Sequence, residues 1–97
     1  MKLSQSKIDK IRGYFSDKPV LKAYLFGSYA SGSATSSSDL DILVQLDYRK
    51  KIGLEFIQMK LDLESILHKE VDLVTTQSIS PRVRPIIERT KQLIYAR

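Results

Sequence analysis

Hydrophobic positions along this chain recur with two different periods. From Ile8 to Phe15 they recur at close to helical spacing, after two serines that can cap a helix. Residues 17–19 have the composition of a turn, and the apolar, β-rich runs Val20–Phe26 and Leu40–Leu46 predict strands with at least one buried face. The start of the chain is therefore predicted to form a helix and two strands.

The second half of the chain repeats these two periods. Residues 52–68 place apolar side chains at successive spacings of 4, 3, 4 and 3, which predicts a helix with a buried stripe. Four more apolar residues are expected to widen that stripe: Leu54, Ile57, Leu61 and Leu67. Val71–Thr75 is a third predicted strand. A last helix is predicted to open at Ser80-Pro81, and residues 93–96 fit either its end or a short terminal strand.

The predicted order of elements defines a fold class. Helix, strand, loop, strand, helix, strand and helix is the order expected of an α+β (mixed α/β) domain, in which helices flank a small mixed β-sheet. A length of 97 residues leaves room for one hydrophobic core, so we expect a single domain over residues 1–97.

Composition excludes several classes of protein and site. The chain has no cysteine and one histidine, which excludes disulfides, thiolate metal sites and multi-histidine zinc sites. Any metal ion should therefore be a hard one with oxygen ligands. Hydrophobic residues make up 42% of the chain but form no run long enough to span a membrane. The polar N-terminus predicts no secretory signal, so we expect a cytoplasmic protein.

Charge is distributed unevenly along the chain. The formal net charge is +5, yet residues 23–48 contain no lysine or arginine and carry three aspartates. Residues 1–22 and residues 73–97 each carry a net charge of +4. These basic ends are either a solvated surface or a surface that attracts nucleic acid, an acidic protein or a polyphosphate.

Two of the aspartates in the acidic segment stand two residues apart at the start of a predicted strand. Asp39 and Asp41 would point to one face, with Cα atoms about 7 Å apart. No cationic residue lies nearby in sequence, so a divalent cation is the natural counter-charge. If the strand of Asp72 is a neighbour, three carboxylates can hold two metal ions about 3.5–4 Å apart, the arrangement used for in-line phosphoryl or nucleotidyl transfer.

A small, polar loop supplies candidate phosphate ligands. Gly27 directly follows a buried strand and lets the backbone approach an anion closely, and Ser28 offers a hydroxyl and a backbone N–H. If a helical turn begins at Ser28, its free N–H groups would point toward the same anion.

These residues together match a family motif. The run Gly27-Ser28-Tyr29-Ala30-Ser31-Gly32, six further residues and then Asp39-Leu40-Asp41 resembles the signature of polymerase-β-like nucleotidyltransferases, most of all the minimal nucleotidyltransferase (MNT) class. The resemblance implies that Asp39 and Asp41 bind two Mg²⁺ ions and that Asp72 completes the metal site. It also implies that Asp72 accepts the proton of the attacking hydroxyl. Gly27 and Ser28 would hold the β- and γ-phosphates of ATP or another NTP.

The resemblance also implies a partner. MNT proteins of this size often work beside an all-helical HEPN protein, as antitoxins that transfer AMP from ATP to a tyrosine of the toxin. Many relatives have an arginine where this chain has Ser31, which leaves one phosphate contact missing. An alternative is a non-catalytic antitoxin that neutralises its partner by binding alone. A nucleic-acid-binding module is a third hypothesis, and only the basic pI supports it.

Overall fold

Four strands form one mixed sheet in the computed structural model, which describes residues 2–97. Along the chain the elements are α1 (Gln5–Phe15), β1 (Val20–Phe26), α2 (Ser28–Ser31), β2 (Leu40–Leu46), α3 (Glu55–Leu67), β3 (Val71–Thr75), α4 (Arg84–Thr90) and β4 (Gln92–Ala96). The strand order is β3-β2-β1-β4, in which β2 and β3 are parallel and the other two pairs are antiparallel. The predicted α+β class with a small mixed sheet is confirmed. Within residues 2–97, no helix combines the length and the apolarity that crossing a bilayer requires.

The two faces of the sheet carry different layers. Alternate residues of β2, such as Ile42 and Val44, belong to the main core, which also contains Ile11 of α1 and Met59 of α3. On the opposite face Leu43 packs with residues that include Ile87 of α4 in a smaller cluster. Since side chains alternate along a strand, each residue two positions from Leu43 also points to the α4 face.

The termini of two helices show where local chemistry sets the boundaries. α1 begins after Ser4, whose hydroxyl accepts a hydrogen bond from the N–H of Lys7 at 3.3 Å, as a capping serine should. The predicted helix over residues 52–68 was too long at its start. α3 begins at Glu55, because Gly53 adopts a left-handed conformation (φ 49°) in the turn that precedes it.

The expectation that four further apolar residues widen the buried stripe of α3 was wrong for three of them. Leu67 is buried, but the exposed fractions are 81% for Leu54, 56% for Ile57 and 51% for Leu61. The reason is geometric, because one helix packed on one sheet buries a single stripe, here centred on Met59 and Leu63.

The end of the chain forms a strand. α4 begins at Arg84, four residues later than predicted, and it has a proline in its first turn. After Thr90 the chain turns back, and β4 pairs antiparallel with β1, so the strand alternative for residues 93–96 is confirmed. The edge of β1 provides backbone partners that a longer helix would leave unpaired.

Two arginines pair with a buried carboxylate at the ends of β2 and β4. Asp47 is 2% exposed, and its carboxylate accepts hydrogen bonds from Arg49 Nε at 2.9 Å and Nη2 at 3.0 Å. Arg97 Nη1 lies 3.5 Å from the same carboxylate. The hydrogen bonds from Arg49 lower the pKa of Asp47 to about 2, so this pair stays charged at all but strongly acidic pH.

The residue at the C-cap of α3, His68, has an unfavourable backbone conformation. His68 is exposed and adopts a left-handed conformation (φ 53°), which costs a residue with a Cβ about 1 kcal/mol. We therefore expect His68→Gly to raise the free energy of unfolding by up to about 1 kcal/mol, measured by urea denaturation. His68→Ala is the control, because alanine retains the Cβ; an equal gain in both variants would contradict this explanation.

Candidate active site

Two of the predicted acidic residues face each other across neighbouring parallel strands. Asp41 on β2 and Asp72 on β3 are direct Cα partners in the register of the sheet. Paired residues of parallel strands point to the same face, and adjacent strands lie about 4.8 Å apart. Both aspartates therefore lie on the α4 face, Asp41 two residues before Leu43 and Asp72 two residues before Val74.

The third acidic residue, Asp39, is exposed and lies immediately before β2. The loop that leads to it is held by a residue that the sequence analysis did not identify. The ammonium of Lys69 donates hydrogen bonds to the backbone oxygens of Ser38 at 2.6 Å and Ser36 at 3.0 Å. No sequence motif marks this lysine, because its partners are backbone atoms more than thirty residues away.

The electrostatics of the site centre on Asp41. Its side chain is half-buried, and this desolvation raises its pKa, as do the negative charges of Asp72 and Asp39. Burial, Asp72 and Asp39 all disfavour the ionised form of Asp41, and no cationic side chain offsets their effect on its pKa. A bound cation would remove this repulsion.

Gly27 brings the loop against the same carboxylate. It follows Phe26, which is the Cα partner of Asp41 across β1 and β2. Its backbone has φ 69° and ψ −146°, a conformation that essentially only glycine adopts, and a Cβ at this position would overlap Asp41 Oδ2. Glycine is thus required both by the backbone and by the space beside the carboxylate.

The loop forms the short helix α2, which begins at Ser28 as the sequence suggested. No described residue hydrogen-bonds to the hydroxyl of Ser28, so it is available to a ligand. Ser31, which stands where many members of the resembled family have an arginine, donates its hydroxyl to the backbone oxygen of Ser28 at 3.2 Å. Its role in this structure is to hold the turn.

The acidic residues have the donor atoms of a metal site but not its final arrangement. Within residues 2–97, no three acidic, histidine or cysteine side chains are arranged closely enough to hold an ion as they stand. The donor chemistry nevertheless fits Mg²⁺, because carboxylate oxygens are its preferred protein ligands and a raised pKa marks charges that need compensation. Asp39, Asp41 and Asp72 are the residues that could hold it.

Two depressions flank the acidic residues. A cleft of about 670 Å³ opens beside Asp72 and Asp39, and the other residues that line it are Lys60, Glu64, Lys69, Glu70 and Val71. On the other side, a groove of about 310 Å³ lies against Gly27 and is walled by Val83, Ile86 and Ile87 of the α4 region. The acidic residues thus have one space on the β3 side and another on the β1 side.

Comparison with known proteins gives matches over most of the chain. The family model described as "Polymerase beta, Nucleotidyltransferase" matches residues 9–97. A protein adenylyltransferase, MntA of Thermococcus cleftensis, is 37% identical over 71 residues, which are 73% of this chain and 69% of the relative.

Solved structures with the same architecture come from toxin–antitoxin systems. The crystal structure of a toxin–antitoxin with AMP-PNP superposes with a TM-score of 0.74 at 27% identity, over 98% of this chain and 75% of the other. A complex of a tri-AMPylated Shewanella oneidensis HEPN toxin with an MNT antitoxin has a TM-score of 0.73 over 98% and 74% of the two chains. At 24% identity, the second match concerns the fold alone.

Proposed function

Because this chain belongs to the polymerase beta nucleotidyltransferase family, we propose that it transfers AMP from ATP to a hydroxyl of a partner protein, a HEPN-type toxin, and so acts as its antitoxin. The observation that carries this proposal is the direct pairing of Asp41 with Asp72, at the point where Gly27 brings a phosphate-type loop against Asp41. A protein that acted by contact alone would not need this repulsive arrangement.

The three acidic residues form the metal-binding part of the proposed site. Asp39, Asp41 and Asp72 would hold two Mg²⁺ ions through their carboxylate oxygens. When bound, the ions neutralise charge on the phosphates and on the acidic residues themselves. Burial and the acidic neighbours raise the pKa of Asp41, and a bound cation would stabilise the ionised carboxylate that they disfavour.

Gly27 and Ser28 form the phosphate-binding part. The bare backbone at Gly27 leaves room for phosphate oxygens beside Asp41, and the Ser28 hydroxyl can donate to the β- and γ-phosphates. These contacts would hold the pyrophosphate end of ATP while its α-phosphate lies near Asp41. The serine at position 31 supplies no charge here, so the affinity for ATP depends on the loop and the metal ions.

The transfer itself is an in-line displacement at the α-phosphorus. The acceptor hydroxyl oxygen forms a bond to this phosphorus while the bond to the β-phosphate oxygen breaks, and pyrophosphate leaves with the electron pair. The proton of the hydroxyl passes to the carboxylate of Asp72, which is exposed and therefore reachable by an acceptor.

A HEPN-type partner is part of the proposal. It is supported by the family resemblance, by the similarity to the protein adenylyltransferase MntA, and by the match to the solved toxin–antitoxin with AMP-PNP. The proposal also places this reaction in the cytoplasm.

Transfer of label from ATP tests the proposal. The purified chain, Mg²⁺ and a HEPN-type protein from the same genome are incubated either with ATP labelled at the α-phosphate or with ATP labelled at the γ-phosphate. We expect label on the HEPN protein only from the α-phosphate, and none with the Asp39→Ala/Asp41→Ala variant. No α-label, or label from the γ-phosphate, would contradict AMP transfer. Unchanged toxin neutralisation by the double variant would favour an antitoxin that acts by binding alone.

A further inference from the structure

The order of the strands fixes the direction from which an acceptor can approach. In an in-line displacement the attacking and leaving oxygens lie on opposite sides of the phosphorus. Gly27 follows β1, Asp41 lies on β2 and Asp72 lies on β3, and these strands are consecutive neighbours in the sheet. If Gly27 holds the leaving pyrophosphate, as the proposed function has it, the acceptor must come from the β3 edge.

The 670 Å³ cleft lies at this edge, and α3 forms one of its walls. Glu64 of α3 accepts a hydrogen bond from the N–H of Val71, the first residue of β3, at 3.0 Å. Lys60, one turn earlier on α3, pairs with Glu64 at 3.4 Å and also lines the cleft. The flank of α3 that carries these two side chains is therefore turned toward the site.

An exposed apolar stripe, formed by Leu54 at the N-cap of α3 and by Ile57 and Leu61 on α3, adjoins this flank. These side chains are 81%, 56% and 51% exposed. Residues three or four apart are neighbours on a helix surface, so Ile57 lies next to Lys60 and Leu61 lies next to Glu64. The stripe thus continues directly into the wall of the cleft. The opposite flank of α3 is used within the chain, where Asp62 accepts a hydrogen bond from Tyr14 of α1 at 2.5 Å.

We propose that this stripe and the adjoining cleft are the docking surface for the acceptor-bearing HEPN-type partner. Continuity with the acceptor side of the site is the main argument. The partner should contribute an apolar helix face to the stripe, which places its acceptor hydroxyl in the cleft beside Asp72. Lys50 and Lys51 are exposed and lie immediately before the stripe, so acidic residues should flank the apolar face of the partner.

Three other exposed apolar side chains lie elsewhere in the fold. Val83 and Ile86 lie on the Gly27 side of the acidic residues, the side assigned to the leaving group. Leu93 is 55% exposed on β4, at the edge of the sheet opposite β3. Leu93 is therefore a matched control for Leu61, with the same side chain and similar exposure.

The test compares Leu61→Glu with Leu93→Glu. Affinity for the HEPN-type protein is measured by isothermal titration calorimetry without nucleotide, and AMP transfer is measured at partner concentrations below saturation. A carboxylate within an apolar interface should weaken binding about 30-fold or more and reduce transfer in proportion. Leu93→Glu should match the wild type in both measurements. Both variants should keep the wild-type melting temperature, because each site is exposed.

The outcomes separate this surface from the proposed function. If Leu61→Glu alone binds the partner weakly, the docking surface is supported. A wild type that binds its partner but transfers no AMP would overturn only the proposed function. Equal affinities of the two variants, or equal losses, would overturn the surface. Gel filtration of the chain alone is the remaining check, because a wild-type dimer that Leu61→Glu dissociates would assign the stripe to a second copy. A wild type that binds no partner would overturn both proposals.

Discussion

Asp41→Asn is expected to abolish AMP transfer and at the same time to make the protein more stable. The loss should be about 1,000-fold or more in kcat/KM, the equivalent of about 4 kcal/mol, because the amide cannot replace an anionic ligand of the metal ions. Steady-state transfer from labelled ATP to the partner measures this loss.

The gain in stability follows from the raised pKa of Asp41. Burial and the neighbouring aspartates raise this pKa in the folded protein, so folding favours the protonated form. The corresponding stabilisation is fully present below the pKa of an ordinary aspartate and is lost as the pH rises through the folded value. At neutral pH and without metal, the ionised carboxylate therefore opposes folding. The amide of asparagine does not ionise, so it avoids this unfavourable charge. We therefore expect Asp41→Asn to have a melting temperature a few degrees higher than that of the wild type.

Two controls make the Asp41 prediction specific. Asp17→Asn removes the same charge from a side chain that is 79% exposed, and it should change neither transfer nor melting temperature. Lowering the pH should also narrow the stability difference between the wild type and Asp41→Asn. If Asp41→Asn melts at or below the wild-type temperature at neutral pH without Mg²⁺, the electrostatic account of the site is wrong.

Gly27→Ala is expected to damage both stability and activity. The new Cβ would overlap the Asp41 carboxylate, and alanine cannot adopt the backbone conformation of Gly27 without strain. We expect a loss of about 2–3 kcal/mol in the free energy of unfolding, because strain and overpacking add. Displacement of Asp41 should lower kcat/KM by about 100-fold, since ångström-scale misplacement of reacting groups has effects of this order.

Gly53→Ala is the matched control for this substitution. Gly53 also has a positive φ, but nothing lies within 4 Å of a Cβ built there. It should therefore lose only about 1 kcal/mol of stability, the cost of the left-handed backbone, and keep full transfer activity. Equal effects of the two substitutions on transfer would show that the close approach of Gly27 to Asp41 has no catalytic importance.

The sequence by itself determined the elements and the chemistry of the candidate site. Periodic apolar positions predicted the strands β1, β2 and β3 and the helices α1 and α3, since burial of one face is imposed by local repeat geometry. The spacing of Gly27, Ser28, Asp39 and Asp41 selected the candidate site and the family, because all four lie in one continuous segment, at the end of β1, in the loop that follows it and at the start of β2.

Tertiary structure decided what depends on distant partners. The pairing of Asp72 with Asp41 needs two strands whose adjacency no local pattern contains, and the Lys69 anchor binds backbone atoms that carry no side-chain signal. Tertiary packing also decided which side of α3 stays exposed. Apolar residues cover more of that helix than one sheet can bury, so packing alone selected Met59 and Leu63 for the core and left Leu61 at the surface.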